Sequence, residues 1–313
     1  MLAKVLITGS NGFVGRSLAL YLEKFDYDIV YTYRQLPGNL KGQKNHFAVG
    51  DINKHTQWQT ALKDVDAVVH LAARVHVMKE TVADPLAAFR SVNTAGTLNL
   101  ARQAADAGVR RFVYLSSIKV NGEQTDVMPF SEKDQASPQD PYAQSKYEAE
   151  QQLLVLSKQT GLETVIIRPP LVYGPGVKGN FATMMSWIAK GIPLPFGAVH
   201  NKRSLVALDN LLSFIDFCIK KPTAANEIFL ISDGEDVSTT ELLTKVAKAM
   251  HSKIILIPLP VSWMIFAAKI LGKQAVTDRL FGSLQVDNSK ARTLLDWQPV
   301  TSMDKQLRKM VVN

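Results

Sequence analysis

Ser117, Tyr142 and Lys146 are the residues whose types and spacing could do chemistry together. Tyr142 and Lys146 stand four apart in Pro141-Tyr142-Ala143-Gln144-Ser145-Lys146 and would share one face of a helix, with Asp140 as its N-cap and Pro141 in its first turn. A phenol with a pKa of about 10 is a poor acid–base at neutral pH, and a neighbouring ammonium, together with the positive charge of an oxidised nicotinamide, would lower it toward the working range. Ser117 follows a β-rich run ending at Leu115 and could bond the same substrate oxygen. Taken singly, a Tyr-x-x-x-Lys pair is ordinary decoration of a helix surface. It gains meaning from a second motif upstream.

That motif is Thr8-Gly9-Ser10-Asn11-Gly12-Phe13-Val14-Gly15. Glycines spaced by three permit a tight turn, close backbone approach to a diphosphate, and close packing of the next helix on the strand. The helix N-terminus then offers free N–H groups to the anion. At the first strand–helix junction this favours dinucleotide binding over a purely structural turn. NAD sites usually carry an acid at the end of the second strand, whereas this chain reads Thr32-Tyr33-Arg34-Gln35. Arg34 could pair with a 2′-phosphate, which tilts the choice toward NADP(H), with NAD(H) as the other option. Asp51 and Ile52, past the third strand, are candidate adenine neighbours; a plain N-cap role suits Asp51 equally well.

These motifs require a parallel sheet beneath them. β-rich runs at 5–8, 29–33, 46–49, 67–71, 111–115 and 164–168 alternate with helical patterns at 14–24, 56–63, 85–107 and 141–159. The expected fold class is α/β: a doubly wound parallel (Rossmann) sheet with a smaller discontinuous C-terminal substrate lobe. Residues 1–170 plus about 204–232 would form the dinucleotide-binding domain, and about 171–203 plus 233–313 the lobe. A 313-residue chain that is 46% hydrophobic and 20% charged can bury a core, and these numbers exclude disorder and coiled coil. The net charge of +8 suits an anionic small molecule, but the cations are scattered and no nucleic-acid stripe is present. Cys218 is the single cysteine, which excludes an internal disulfide and, with no secretory pattern at the start, points to the cytoplasm. The apolar segment 254–271 contains Pro258, Pro260 and Lys269, against a membrane span and in favour of a buried strand followed by a helix; a membrane-surface helix is the alternative. The histidines lack metal-ligand spacing, and no metal is expected.

Together these residues resemble the extended short-chain dehydrogenase/reductases, in particular the branch acting on nucleotide-linked sugars. The likeness rests on Gly9, Gly12 and Gly15, His70-Leu71-Ala72-Ala73, Asn93 in Val92-Asn93-Thr94-Ala95-Gly96, Ser117, Tyr142, Lys146 and Arg168-Pro169-Pro170-Leu171-Val172-Tyr173-Gly174-Pro175. It continues through Arg203 to Asp209 and Leu295-Asp296-Trp297-Gln298-Pro299, and so covers nearly the whole chain. The resemblance implies a catalytic triad of Ser117, Tyr142 and Lys146. It places Asn11, Phe13, Val14, Leu71, Ala72, Ala73, Asn93, Pro169 and Leu171 with the cofactor. Lys119, Asn180, Pro195, Phe196, Arg203 and Arg279 become candidates to hold a UDP-sugar or other nucleotide-sugar, Arg203 and Arg279 through its diphosphate. A homodimer through the helices at 85–107 and 141–159 is also implied.

The family's 4,6-dehydratases carry Asp-Glu directly after the catalytic Ser/Thr; here Ile118 and Lys119 stand there, so elimination lacks its proton handlers. The reading the sequence favours is NADP(H)-dependent reduction of a nucleotide-linked 4-keto-6-deoxy sugar for surface polysaccharide. The alternative is a UDP-sugar 4-epimerase with tightly bound NAD. A non-catalytic NADP(H) sensor is the remote third reading, since sensors lose Tyr or Lys and both are present.

Overall fold

The structure, a computed structural model, describes residues 3–75, 84–270 and 280–311, without the side chains of 267 and 268. Strands β1 (Lys4–Thr8), β2 (Asp28–Tyr33), β3 (His46–Ala48), β4 (Ala67–His70), β5 (Arg111–Leu115) and β6 (Glu163–Arg168) lie parallel in one sheet. Its order is β3-β2-β1-β4-β5-β6-β9, where β9 is Ile228–Leu230. The order reverses beside β1, and the crevice at the carboxyl ends of β1 and β4 is where such sheets bind ligands.

Both faces of the sheet are buried, so its strands are continuous apolar runs. In β1, Val5 and Ile7 face one side and pack with Leu18 and Leu22 of α1 (Phe13–Glu23). Leu211 and Ile215 of α6 (Leu208–Lys220) join the same layer. Leu6 faces the other side, with Trp58, Leu100 of α3 (Thr97–Asp106) and Leu153 of α4 (Pro141–Thr160).

The smaller lobe has its own three-stranded sheet of β7 (Leu171–Tyr173), β8 (Arg203–Ala207) and β10 (Asp236–Val237), ordered β10-β8-β7. Its core gathers Tyr173, Phe181 of α5 (Asn180–Ala189), Leu243 of α7 (Thr239–Ala249), and Met303 and Leu307 of α10 (Met303–Val311). Helix α8 (Val261–Ile270) lies outside this core, and α9 (Ser289–Leu295) returns to the large sheet through Ala291 and Leu295.

Three local readings of the sequence are corrected. Residues 56–63 form turns rather than a helix, because amide side chains of α3 take over the backbone bonding. Trp58 N donates to Gln103 Oε1 (2.8 Å), and Asn99 Nδ2 donates to the Thr56 carbonyl (2.7 Å). The helical run at 85–107 is split into α2 (Pro85–Phe89), a π-helical segment (Arg90–Gly96) and α3. The strand expected after residue 254 makes a single bridge, Leu256 to Leu194, and alternates Ile254 and Leu256 inward with Ile255 and Ile257 exposed.

Candidate active site

The glycine turn is built by contacts that leave no room for side chains. Gly9 has φ +69°, and a Cβ on Gly15 would lie 2.1 Å from the Gly9 carbonyl oxygen. Gly12 N donates to that same carbonyl (2.8 Å). Helix α1 starts at Phe13 with Gly12 as N-cap and no side chain on its first N–H groups, while Asn11 and Gly12 are exposed. An uncapped helix start behind a turn with glycine at its closest approaches has the shape that can receive a dinucleotide diphosphate. Phe13 and Val14 pack down onto the core and fix the helix to β1.

Thr8 ties this turn to the segment after β4. Its Oγ1 accepts from Leu71 N and Ala72 N (3.0 Å each) and meets His70 Nδ1 at 2.7 Å. With two donors already on Oγ1, the hydroxyl proton goes to Nδ1, so the ring proton sits on Nε2 and faces Thr97 Oγ1 at 2.9 Å. This neutral tautomer agrees with a His70 pKa lowered to about 3, chiefly by burial and then by the Lys146 charge. Ala72 lies 3.2 Å from where a Gly9 Cβ would be, so the segment after β4 borders the turn at Ala72.

Asp140 caps α4 by accepting from Ala143 N (2.7 Å), and Pro141 occupies its first turn. Lys146 is buried; its Nζ donates to the Leu115 carbonyl (2.8 Å) and lies 4.5 Å from the Tyr114 ring centre and 6.0 Å from that of Tyr142. Ser117 caps a single 3₁₀ turn after β5 (Ile118–Val120), and its Oγ accepts from Lys119 N. Lys119 Nζ bridges Glu123 Oε1 (2.8 Å) and Asp140 Oδ2 (2.6 Å), pinning the Ser117 turn to the start of the Tyr142 helix. Asn93 braces the helix from the π-helical segment: its Nδ2 donates to Ser145 Oγ and to the Arg74 carbonyl (3.0 Å each). π-Helical insertions in α-helices are frequently found at functional sites.

The protein's own groups alone do not lower the Tyr142 phenol. Burial, with the Asp140 charge adding to it, pushes its pKa up to about 12. Burial lowers Lys146 to about 7, with Glu150 opposing the fall. A desolvated ammonium half-titrated at neutral pH does not outweigh desolvation of the phenol.

Glu150 was not singled out in the sequence. One turn beyond Lys146 and fully buried, it accepts from Ser116 Oγ (2.5 Å) and from Arg168 Nε and Nη2 (3.1 and 2.5 Å), while Arg168 Nη1 reaches Asn121 Oδ1 (2.9 Å). The ends of β5 and β6, the Ser117 turn and α4 are thus joined through one carboxylate. The available signal was its spacing: Tyr142, Lys146 and Glu150 recur every four residues on the core-facing side of one helix.

The other expected residues fall into separate places. Arg34 is exposed and paired with Asp51, Nε to Oδ1 2.9 Å, so the two are partners in one ion pair. Ile52 packs under Gly96, where a Cβ would meet its Cγ2 at 2.6 Å. Pro169 accepts from Ile118 N (3.0 Å), and Leu171 is exposed at the start of β7. Asn180 opens α5 on the exposed side. Pro195 is partly buried, and Phe196 meets Phe281 at 6.3 Å between ring centres. Arg203 Nη1 donates to the Gly282 carbonyl (3.0 Å), and burial lowers its pKa. Arg279 lies outside the described residues.

A family profile described as the NAD dependent epimerase/dehydratase family matches residues 5–232. The chain is 48% identical over 304 residues to a UDP-glucose 4-epimerase of Vibrio cholerae, covering 96% of this chain and 92% of that protein. The fold is similar to UDP-glucuronic acid 4-epimerase from Bacillus cereus in complex with NAD, with TM-score 0.78, 22% identity, and 99% and 97% of the two chains covered. It is also similar to RMD from Pseudomonas aeruginosa complexed with NADPH, with TM-score 0.74, 22% identity, and 99% and 98% covered.

Proposed function

The chain belongs to the NAD dependent epimerase/dehydratase family, NAD(P)-dependent enzymes of the oxidoreductase and epimerase type, and from there we propose that it is a UDP-sugar 4-epimerase retaining a bound NAD. The observation that carries this reading is the 48% identity along 96% of the chain to a UDP-glucose 4-epimerase. One support of the reductase reading is Arg34 as a 2′-phosphate partner. Its pairing with Asp51 weakens that argument, because the neighbouring carboxylate would repel a second anion.

An oxidised nicotinamide, when bound, would supply reversible hydride acceptance and a positive charge. Tyr142 takes the proton of the sugar 4-hydroxyl and returns it after the 4-keto sugar has turned over, and Ser117 bonds the same oxygen throughout. Lys146, anchored on the Leu115 carbonyl, supports the phenolate and the cofactor ribose. The N-terminus of α1 would hold the cofactor diphosphate, and Arg203 with Asn180 would hold the diphosphate of the nucleotide-sugar. Lys119, occupied by Glu123 and Asp140, acts as a positioning residue for the substrate pocket. The lobe of residues 171–203 plus 233–313 receives the sugar nucleotide. A cytoplasmic homodimer through the helical stretches 85–107 and 141–159 is part of the same reading.

Incubation of the purified protein with UDP-glucose and no added cofactor should give UDP-galactose, and mass spectrometry of the co-purifying nucleotide should return NAD. A second reading, reduction of a 4-keto-6-deoxy sugar by exchangeable NADPH, is favoured by the absence of an acid at the end of β2. Oxidation of NADPH by a UDP-4-keto-6-deoxyhexosamine, with no hexose interconversion, would replace the epimerase reading by that one.

A further inference from the structure

The segment after residue 253 breaks the rule that an exposed face is polar. In residues 254–257 the side chains alternate, Ile254 and Leu256 against the lobe core and Ile255 and Ile257 outward, so both faces are apolar. Backbone bonds hold this strap to the lobe: Leu194 N to the Ile255 carbonyl and Ile257 N to the Leu194 carbonyl, both 2.9 Å. The strap leads directly into α8, whose sequence Val-Ser-Trp-Met-Ile-Phe-Ala-Ala-Lys-Ile is apolar on nearly every side. Trp263, Phe266 and Ile270 are 70%, 67% and 70% exposed. A helix apolar all round is normally covered by protein or by lipid.

The charges flanking the face point to the cover. Between Glu241 and Asp278 the sequence has no Asp or Glu and five lysines, of which Lys245 is already paired with Glu235 and Asp304. Lys253 before the strap and Lys269 in the last turn of α8 are both exposed. A second copy docked face to face would bring these lysines together with no carboxylate of the segment to answer them. An anionic bilayer answers both features, since its headgroups attract Lys and its interface accepts Trp, Phe and Ile. At ten residues α8 spans about 15 Å, half a hydrocarbon core, so it lies along the interface. Among the described residues no helix is long and apolar enough to cross a membrane.

We propose that the strap and α8 form a peripheral docking face for an anionic phospholipid bilayer. The inference stands apart from the reaction catalysed.

The test is flotation of the full-length protein, as purified, with phosphatidylglycerol/phosphatidylcholine vesicles and with pure phosphatidylcholine vesicles. Recovery should be about tenfold higher on the anionic vesicles and fall with added salt. Trp263→Glu with Phe266→Glu should abolish it, with the circular-dichroism spectrum unchanged. Lys253→Gln with Lys269→Gln, at exposed positions that leave the apolar face intact, should remove the preference for anionic vesicles and stands in if the first variant misfolds. Absence of binding to anionic vesicles, or binding indifferent to both variants, overturns the proposal. So does a concentration-dependent dimer in sedimentation velocity that Trp263→Glu dissolves, which assigns the face to a second copy.

Discussion

Replacing Glu150 by Gln keeps the shape and the acceptor for Ser116 but removes the charge that Arg168 binds inside the protein. The side chains of both partners are almost wholly buried, 0% and 4% exposed, so screening by solvent is slight. Leaving one member of a buried pair uncompensated costs about 3–5 kcal/mol. At roughly 2–4 °C per kcal/mol for larger domains, the melting temperature should fall by on the order of 10 °C. Differential scanning calorimetry reads this directly. Glu150→Leu with Arg168→Met removes both charges and should recover at least half of the loss, because neither ion is then stranded. The substitution also removes a charge that holds up the pKa of Lys146, so the alkaline limb of the kcat profile should move to lower pH. A fall of less than about 2 °C, or a double variant as unstable as the two single changes summed, would refute the account of a single carboxylate joining the ends of β5 and β6 to α4.

Tyr142→Phe should eliminate turnover while bound nucleotide stays, measured by activity and by nucleotide release on denaturation; retained turnover removes the phenol from the mechanism. Lys146→Met should lose most activity and yet raise the melting temperature of nucleotide-free protein at pH 6. Lys146 titrates at about 7 in the fold and near 10.5 when unfolded, so its burial penalty is full below pH 7 and relieved as pH rises toward 10.5. The gain should therefore shrink between pH 7 and 10, and a gain constant with pH contradicts the assignment. Gly15→Ala places a methyl 2.1 Å from the Gly9 carbonyl, so it should cost about 1–3 kcal/mol and yield protein without bound dinucleotide, read by absorbance and calorimetry.

The parallel strands were legible because a strand buried on both faces must be apolar at successive positions, as in Val5-Leu6-Ile7 and Val68-Val69. The glycine turn and the Tyr142–Lys146 spacing were legible for a similar local reason: glycine is needed where φ is positive or backbones touch, and residues four apart share a helix face. What lay beyond local sequence was decided by partners distant along the chain. Arg34 met Asp51 across the β2–β3 edge, and Glu150 met Arg168 across α4 and β6. The phenol's raised pKa belongs to the same class, because desolvation depends on everything packed around a group and not on its neighbours in sequence. Periodicity decided which faces are apolar; only the tertiary arrangement decided which of them are covered, and it left α8 exposed.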